Sequence, residues 1–252
     1  MALDALTRRA DGSESSPVDD PTSWVSASRT RNHVLGDPLL DWLDEYGEAC
    51  GLTPDTAVLG YDERTDFTPF IQSIREQSPD ALFTFLPGGP PTFGFTKTYN
   101  ENGLAEAGIK FLGTAETEEV NLQALGDAAI GLTTAYHYSG AHDSELNAAF
   151  TSRLSEMFPD AIANWASVGA YDGTHLIYQM VAAAGSDGPA AVEAAKTLEW
   201  ESPRGPVKMD PETRTLIQNV YLREVARDEA TGLLVNRETG VIATVGDLGW
   251  DK

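Results

Sequence analysis

Residues 66–90 read DFTPFIQSIREQSPDALFTFLPGGP, and the order of signals in that stretch sets the fold class. Asp66 is of the type that caps a helix, and Phe67, Phe70, Ile71 and Ile74 recur at helical spacing up to about Gln77. Ala81–Leu86 follows as a short apolar run, suited to a strand covered on both faces. The Gly-Pro loop Pro87–Pro91 then leads into a further helix, predicted to run to about Asn102.

The alternation continues on both sides. Ile109–Gly113 is predicted as a strand, Glu118–Leu125 as a short helix and Ile130–Tyr136 as another strand. Upstream, Pro38–Gly51 brings Leu39, Leu40, Leu43 and Tyr46 to one helical face, and Thr56–Tyr61 is a short β-rich run. Strands separated by single helices pair in parallel through right-handed crossovers, so the class is α/β: a Rossmann-like parallel sheet flanked by helices.

Residues 144–198 leave that rhythm and read as helix throughout. Asp143 is placed to cap a helix carrying Leu146, Phe150, Leu154 and Met157, Val168–Ala184 carries Tyr171, His175 and Tyr178, and Pro189 opens a third helix through Leu198. After Pro203 strands return at Pro206–Met209 and Leu216–Val225, then at Leu233–Asn236 and Val241–Thr244 around a turn at Gly240, as an antiparallel ribbon. The organisation expected is therefore a disordered segment 1–36, the first part of a Rossmann-like lobe at 37–137, a helical crossover segment at 138–200, and return strands completing the lobe at 201–252. The first segment is rich in Ser, Asp, Thr and Arg without periodicity.

Composition excludes several classes of function. The 252 residues carry 39 acidic against 17 basic side chains, a formal net charge of −22, which repels nucleic acid and anionic membrane. The acid is dispersed and lysine is scarce, as in proteins adapted to high salt; an ordinary acidic protein is the alternative. Cys50, the single cysteine, excludes an intramolecular disulfide and a multi-cysteine metal site. No apolar run approaches the 18 or so residues of a membrane span, and Arg8 and Arg9 are followed by no apolar leader.

Several blocks in fixed order resemble one known family. DFTPFI at 66–71, PDALFTF at 79–85, GIKFLGT at 108–114, GDAAIGL at 126–132, AYDGTHL at 170–176 and the long string EWESPRGPVKMDPETRTLIQNVY at 199–221 are similar to the solute-binding proteins of ABC importers. The branch is the leucine-, amide- and urea-binding one, with the type I periplasmic binding protein fold. The resemblance implies a ligand held without chemistry or cofactor in a cleft between two lobes that close by hinge motion. It implies a small-molecule solute and an ABC permease as partners, and an extracytoplasmic location. The blocks cover about residues 40–235 and correspond to the second lobe with its crossing helices. The expectation is a truncated derivative missing most of the first lobe and an export leader, hence cytoplasmic if made as written. It is also expected to carry an exposed apolar face on residues 144–184 that invites self-association.

The same resemblance nominates site residues. Gly88, Gly89 and Pro90 correspond to the cleft loop after the third strand, where glycines let backbone N–H groups approach a ligand; a tight turn uses the same residues. Thr114 and Glu116 lie in the next loop, where amino-acid binders set an acid against the ligand's ammonium, with a solvated loop acid as the alternative. Tyr138, in YHYSG, is placed to stack on or hydrogen-bond a ligand, or else to pack. Arg204, in SPRGP, is placed to pair with a carboxylate across the hinge. His137 and His142 lack a third ligand at metal spacing, no Gly-x-Ser-x-Gly elbow is present, and Gly88–Gly89 lacks the Lys and Ser/Thr of a phosphate loop, so an enzyme is not expected. A ligand-sensing or protein-interaction domain derived from such a protein remains the second reading.

Overall fold

A computed structural model describes residues 66–86 and 88–246, together with the backbone of two short strands, β1 (Trp24–Ala27) and β2 (Pro54–Ala57). The helix expected at Pro38–Gly51, Cys50 and most of Thr56–Tyr61 lie outside the described residues. β1 falls within the segment expected to lack structure; four residues are too few to show a strand's period, and its pairing partners lie far along the chain.

The unit read from residues 66–90 is present. Helix α1 (Thr68–Gln77) begins where Thr68 N–H donates to Asp66 Oδ1 at 2.9 Å and ends at Ser78 in the left-handed region. Strand β3 (Ala81–Thr84) is buried at every position, and α2 (Pro90–Glu101) follows the glycine loop with prolines in its first turn. Then come β4 (Lys110–Gly113), α3 (Glu119–Leu125), a 3-10 turn (Gly126–Ala129) and β5 (Thr133–Tyr136). Three helices succeed them, α4 (Glu145–Met157), α5 (Trp165–Ala184) and α6 (Gly188–Ala195). The closing strands are β6 (Glu199–Ser202), β7 (Gly205–Met209), β8 (Leu216–Arg227) and β9 (Leu234–Val245).

Among the described residues the sheet runs β2-β1-β3-β4-β5-β8-β7-β6, with β9 on β8. β1 to β5 are mutually parallel; β5 meets β8 antiparallel, with Tyr136 opposite Tyr221, and β8 pairs antiparallel with β7 and β9. The return ribbon therefore extends the parallel sheet. Its core sets Phe67, Ile71 and Ile74 of the α1 unit against Leu82, Phe95, Phe111 and Leu122. Phe67 meets Phe95 edge-on at 5.4 Å, and Tyr99 meets Phe111 edge-on at 5.6 Å while donating its hydroxyl to Ile109 O at 2.5 Å.

Four local readings are corrected. Ser144, rather than Asp143, caps α4, accepting from Asn147 N–H at 3.0 Å. β6 begins at Glu199, two residues inside the crossover segment bounded at 200, because only Trp200 and Ser202 turn inward and two positions carry no visible alternation. The ribbon does not turn at Gly240: β9 runs unbroken from Leu234 to Val245. Gly240 sits opposite Leu222 at a register irregularity, and a Cβ there would lie 3.2 Å from Leu222 Cδ1, a close approach that the leucine side chain would have to relieve. The strand read from Ile130 begins at Thr133, after the 3-10 turn.

The crossing helices rest lightly on the sheet. Phe150 and Tyr171 join α4 to α5 edge-on at 5.4 Å, and His175 packs beside Trp200 of β6. Much of α5 is uncovered: Ile177, Val181 and Tyr178 share an exposed stripe, Tyr178 at 71% exposure. An exposed apolar face on 144–184 is thus present.

Candidate functional site

The strand order places the site. In an open parallel sheet whose order reverses, here between β1 and β3, ligands enter at the carboxyl ends of the strands beside the reversal. The described loop residues at that end are 85–86 and 88–90 after β3, 114–118 after β4 and 137–140 after β5. Gly88 and Pro90 are exposed, and Gly89 and Thr114 partly so.

Gly89 caps α2 with φ +100° and ψ −151°, a conformation that essentially only glycine adopts. A Cβ at Gly89 meets nothing within 4 Å, so the constraint is torsional alone. Gly89→Ala is expected to cost about 1–3 kcal/mol in urea unfolding through backbone strain, without any clash. Pro90 and Pro91 have no backbone N–H, so the first two residues of α2 offer no donor.

Glu116 and Tyr138 are fully buried. Glu116 Oε1 accepts from Leu86 N–H at 2.8 Å and Oε2 from Thr114 N–H at 2.5 Å, so this carboxylate ties the loop after β3 to the loop after β4. Gly113 makes room for it, since a Cβ there would lie 2.6 Å from Oε2. Burial outweighs these bonds and lifts the Glu116 carboxyl to about 7. A folded-state value above the unfolded one means the folded chain binds more protons between pH 4.5 and about 7. Glu116's contribution is fully present below 4.5 and is lost as pH rises through 7. Urea titrations from pH 4.5 to 8 are expected to show the wild-type chain losing stability relative to Glu116→Gln across that window. Tyr138 donates its hydroxyl to Asn147 Oδ1 at 2.9 Å, which anchors the first crossing segment to α4.

At the centre of these loops lies a residue the sequence reading passed over. Arg223 on β8 is completely buried. Its Nη1 donates to Tyr138 O at 2.6 Å, its Nη2 to Thr114 O at 3.2 Å, and Nε and Nη2 to Thr134 Oγ1 at 3.2 and 3.1 Å. Its guanidinium stands 4.9 Å from the Tyr136 ring centre and 3.8 Å from Glu119 Oε1. Arg223 thus fixes the loops after β4 and β5 from beneath. Its signal was an Arg between Tyr221 and Val225 on the inward face of an alternating strand. Glu118 accepts from Trp165 N–H at 2.9 Å, joining the start of α5 to these loops. Burial and then Glu119 hold the Glu118 carboxyl up at about 7.

Two further contacts span the crossings between sheet and helices. Arg204 pairs with a carboxylate as expected, and the partner is Asp172 of α5: Arg204 Nη2 lies 2.6 Å from Asp172 Oδ2, and both side chains are buried. Asp172 also accepts from Trp200 Nε1 and Ser202 Oγ, each at 3.0 Å. In the first crossing His142 Nδ1 lies 2.9 Å from Glu238 Oε1, a hydrogen bond that raises its pKa. His137 is held near 4 by burial and then by Arg204 and Arg223, so it is neutral at physiological pH.

Comparison with known proteins agrees with this architecture. The family model described as Periplasmic binding protein matches residues 19–230. The chain is 45% identical over 188 residues to the Leu/Ile/Val-binding protein homolog 6 of Brucella abortus (strain 2308), covering 73% of this chain and 48% of that protein. It therefore spans about half the length of that curated relative. Its fold superposes with a TM-score of 0.82 on the solute binding protein of an ABC transporter from Rhodopseudomonas palustris HaA2, solved with p-hydroxybenzoic acid. That pair is 38% identical, covering 92% of this chain and 63% of the other. A second such protein, from R. palustris BisB5 with 3,4-dihydroxybenzoic acid, gives 0.78 at 33% identity, covering 90% of this chain and 62% of that one.

Proposed function

Since this chain belongs to the periplasmic binding protein family, we propose that it is the solute-binding component of an ABC importer, or the second-lobe half of one, and that its solute is an aromatic carboxylate of the hydroxybenzoate kind. It works extracytoplasmically beside an ABC permease, by differential affinity of open and closed states rather than by chemistry. The reading rests on the place of Gly88–Gly89 at the strand ends, beside loops that Arg223 and Glu116 tie together.

The state of the acids favours this ligand over a branched-chain amino acid. An α-ammonium group is held by a carboxylate it can reach, and Glu116 and Glu118 are buried. Glu116 has both oxygens engaged by backbone N–H groups, and Glu118 accepts from Trp165 and Val120 N–H groups. The loops after β3 and β4 therefore suit an anion with an apolar ring better than a zwitterion. Hydroxybenzoate and Leu, Ile and Val, the compounds in these relatives' names, all have a carboxylate, which is the shared chemistry the glycine loop would meet.

Thermal unfolding in high salt with p-hydroxybenzoate, leucine, isoleucine, valine or urea tests the proposal. A ligand at a hundredfold its Kd adds about 2.7 kcal/mol to the native state, so binding shows as a raised, saturable midpoint. p-Hydroxybenzoate is expected to give it. Leucine or urea giving it instead would overturn the ligand class, and no shift with any of them would overturn solute binding by this chain.

A further inference from the structure

Two carboxyls stand side by side at the start of α3, Glu118 capping the helix and Glu119 in its first turn. Both are buried, and the two side chains hydrogen-bond each other. Between them they hold three other segments. Glu118 Oε1 accepts from Trp165 N–H at 2.9 Å, at the start of α5. Glu119 Oε1 accepts from Gly140 N–H at 2.9 Å, in the first crossing, and from Asn236 Nδ2 at 3.0 Å, on β9. The pair therefore fastens the first crossing and the crossing helices to the sheet.

Two ionised carboxylates cannot bond each other, since each only accepts. Glu119 Oε2 has no donor among the described groups and is closed off from solvent, so the hydrogen it needs is one held between it and Glu118. The surrounding charges agree. Among the described residues the cation set against the pair is Arg223 on β8, 3.8 Å from Glu119 Oε1, so one positive charge faces two acids. The other titratable neighbours are Tyr136 at the end of β5, Tyr138 in the first crossing, Glu116 after β4 and Glu238 on β9, which is itself paired with His142. Burial lifts Tyr136 to about 12 and raises Tyr138 as well, so both stay neutral. α5 meets the pair through Trp165, which does not titrate.

We propose that Glu118 and Glu119 share one proton and form a proton-operated latch, which holds the start of α5 and the first crossing against the sheet and releases them when the proton leaves. Without the proton, two buried carboxylates repel each other across a hydrogen bond that no longer exists. Burial and then Glu119 raise the Glu118 carboxyl from 4.5 to about 7, so the latch is fully closed below 4.5 and opens as pH rises through 7. Under the solute-binding reading these are the parts that hinge motion moves, so alkaline pH would shift the balance of open and closed states. That effect depends on solute binding, whereas the latch does not.

Hydrogen exchange of the solute-free chain at pH 5.5 and 8.5, corrected for the intrinsic rate, tests this at Gly140 and at residues 165–168. Relative to β3 and β4, exchange there is expected to be at least about tenfold faster at pH 8.5. Glu118→Gln copies the protonated acid, its amide accepting from Trp165 and donating to Glu119, and is expected to abolish that pH dependence. Glu116→Gln removes the other raised acid and is expected to leave it in place. Infrared difference spectra of Glu116→Gln between the same pH values keep the pair intact, and are expected to show the loss of one protonated buried carboxyl as pH rises. Wild-type exchange at these positions that does not change with pH would overturn the proposal. So would an equal pH dependence in Glu118→Gln, or infrared spectra without that carboxyl.

Discussion

Arg223→Leu is expected to lower the unfolding free energy by about 3–5 kcal/mol, read as a shift of the urea midpoint with an unchanged slope. The guanidinium leaves behind the buried carbonyl of Tyr138 and hydroxyl of Thr134 and the part-buried carbonyl of Thr114, and Glu119 loses its neighbouring cation. Leucine fills part of the volume and answers none of those acceptors, so the loss is that of breaking a network from one side. Arg223→Lys is expected to recover little, because a single ammonium cannot reach three separately placed oxygens as the planar fork does. Pairing Arg223→Leu with Glu119→Gln should recover part of the loss, and a double-mutant cycle measures how much of the network is charge. Salt serves as the control: a fully buried cation is screened far less than the exposed acids, so the deficit should persist in high salt.

Asp172→Ala carries the second large effect, also about 3–5 kcal/mol, for the opposite reason: here the anion goes and a buried cation stays. Arg204 is nearly enclosed, its Nε already lacks a partner, and Asp172 is the carboxylate it touches. Trp200 Nε1 and Ser202 Oγ lose their acceptor in the same substitution. Asp172→Asn keeps an oxygen for the indole N–H and should lie between. Replacing both partners, Asp172→Leu with Arg204→Met, is expected to be less damaging than Asp172→Ala alone, since no unpaired charge is then left inside. Because Asp172 stands on α5 and Arg204 between β6 and β7, the substitutions should also loosen the helices from the sheet. Hydrogen exchange on α5 would report that as faster opening than in β3 or β4.

Much of the α/β unit was legible because its signals are local. Asp66 caps α1, Phe67, Ile71 and Ile74 recur at helical spacing and are buried, and Ala81–Phe83 is apolar because both faces are covered. Arg204 was legible as half of an ion pair, since an Arg held between two prolines in a fixed turn has few places to go. The site was legible only in position. Gly88, Gly89 and Pro90 lie in the loop after β3 as expected, yet nothing in the string GTAE reveals that Glu116 turns inward to two backbone N–H groups. Arg223, which organises those loops, reads locally as a surface charge on a strand. Its partners at Thr114, Thr134 and Tyr138 lie 85 to 109 residues away.

By itself, then, the sequence determined the class of fold, the order of its elements and the family, because capping, period and turn chemistry act within a few residues of each other. Tertiary structure alone decided which acids are occupied. It set Glu116 as a brace and Asp172 as the partner of Arg204. Those states depend on burial and on donors brought from distant strands, and neither is written into the spacing of residues along the chain.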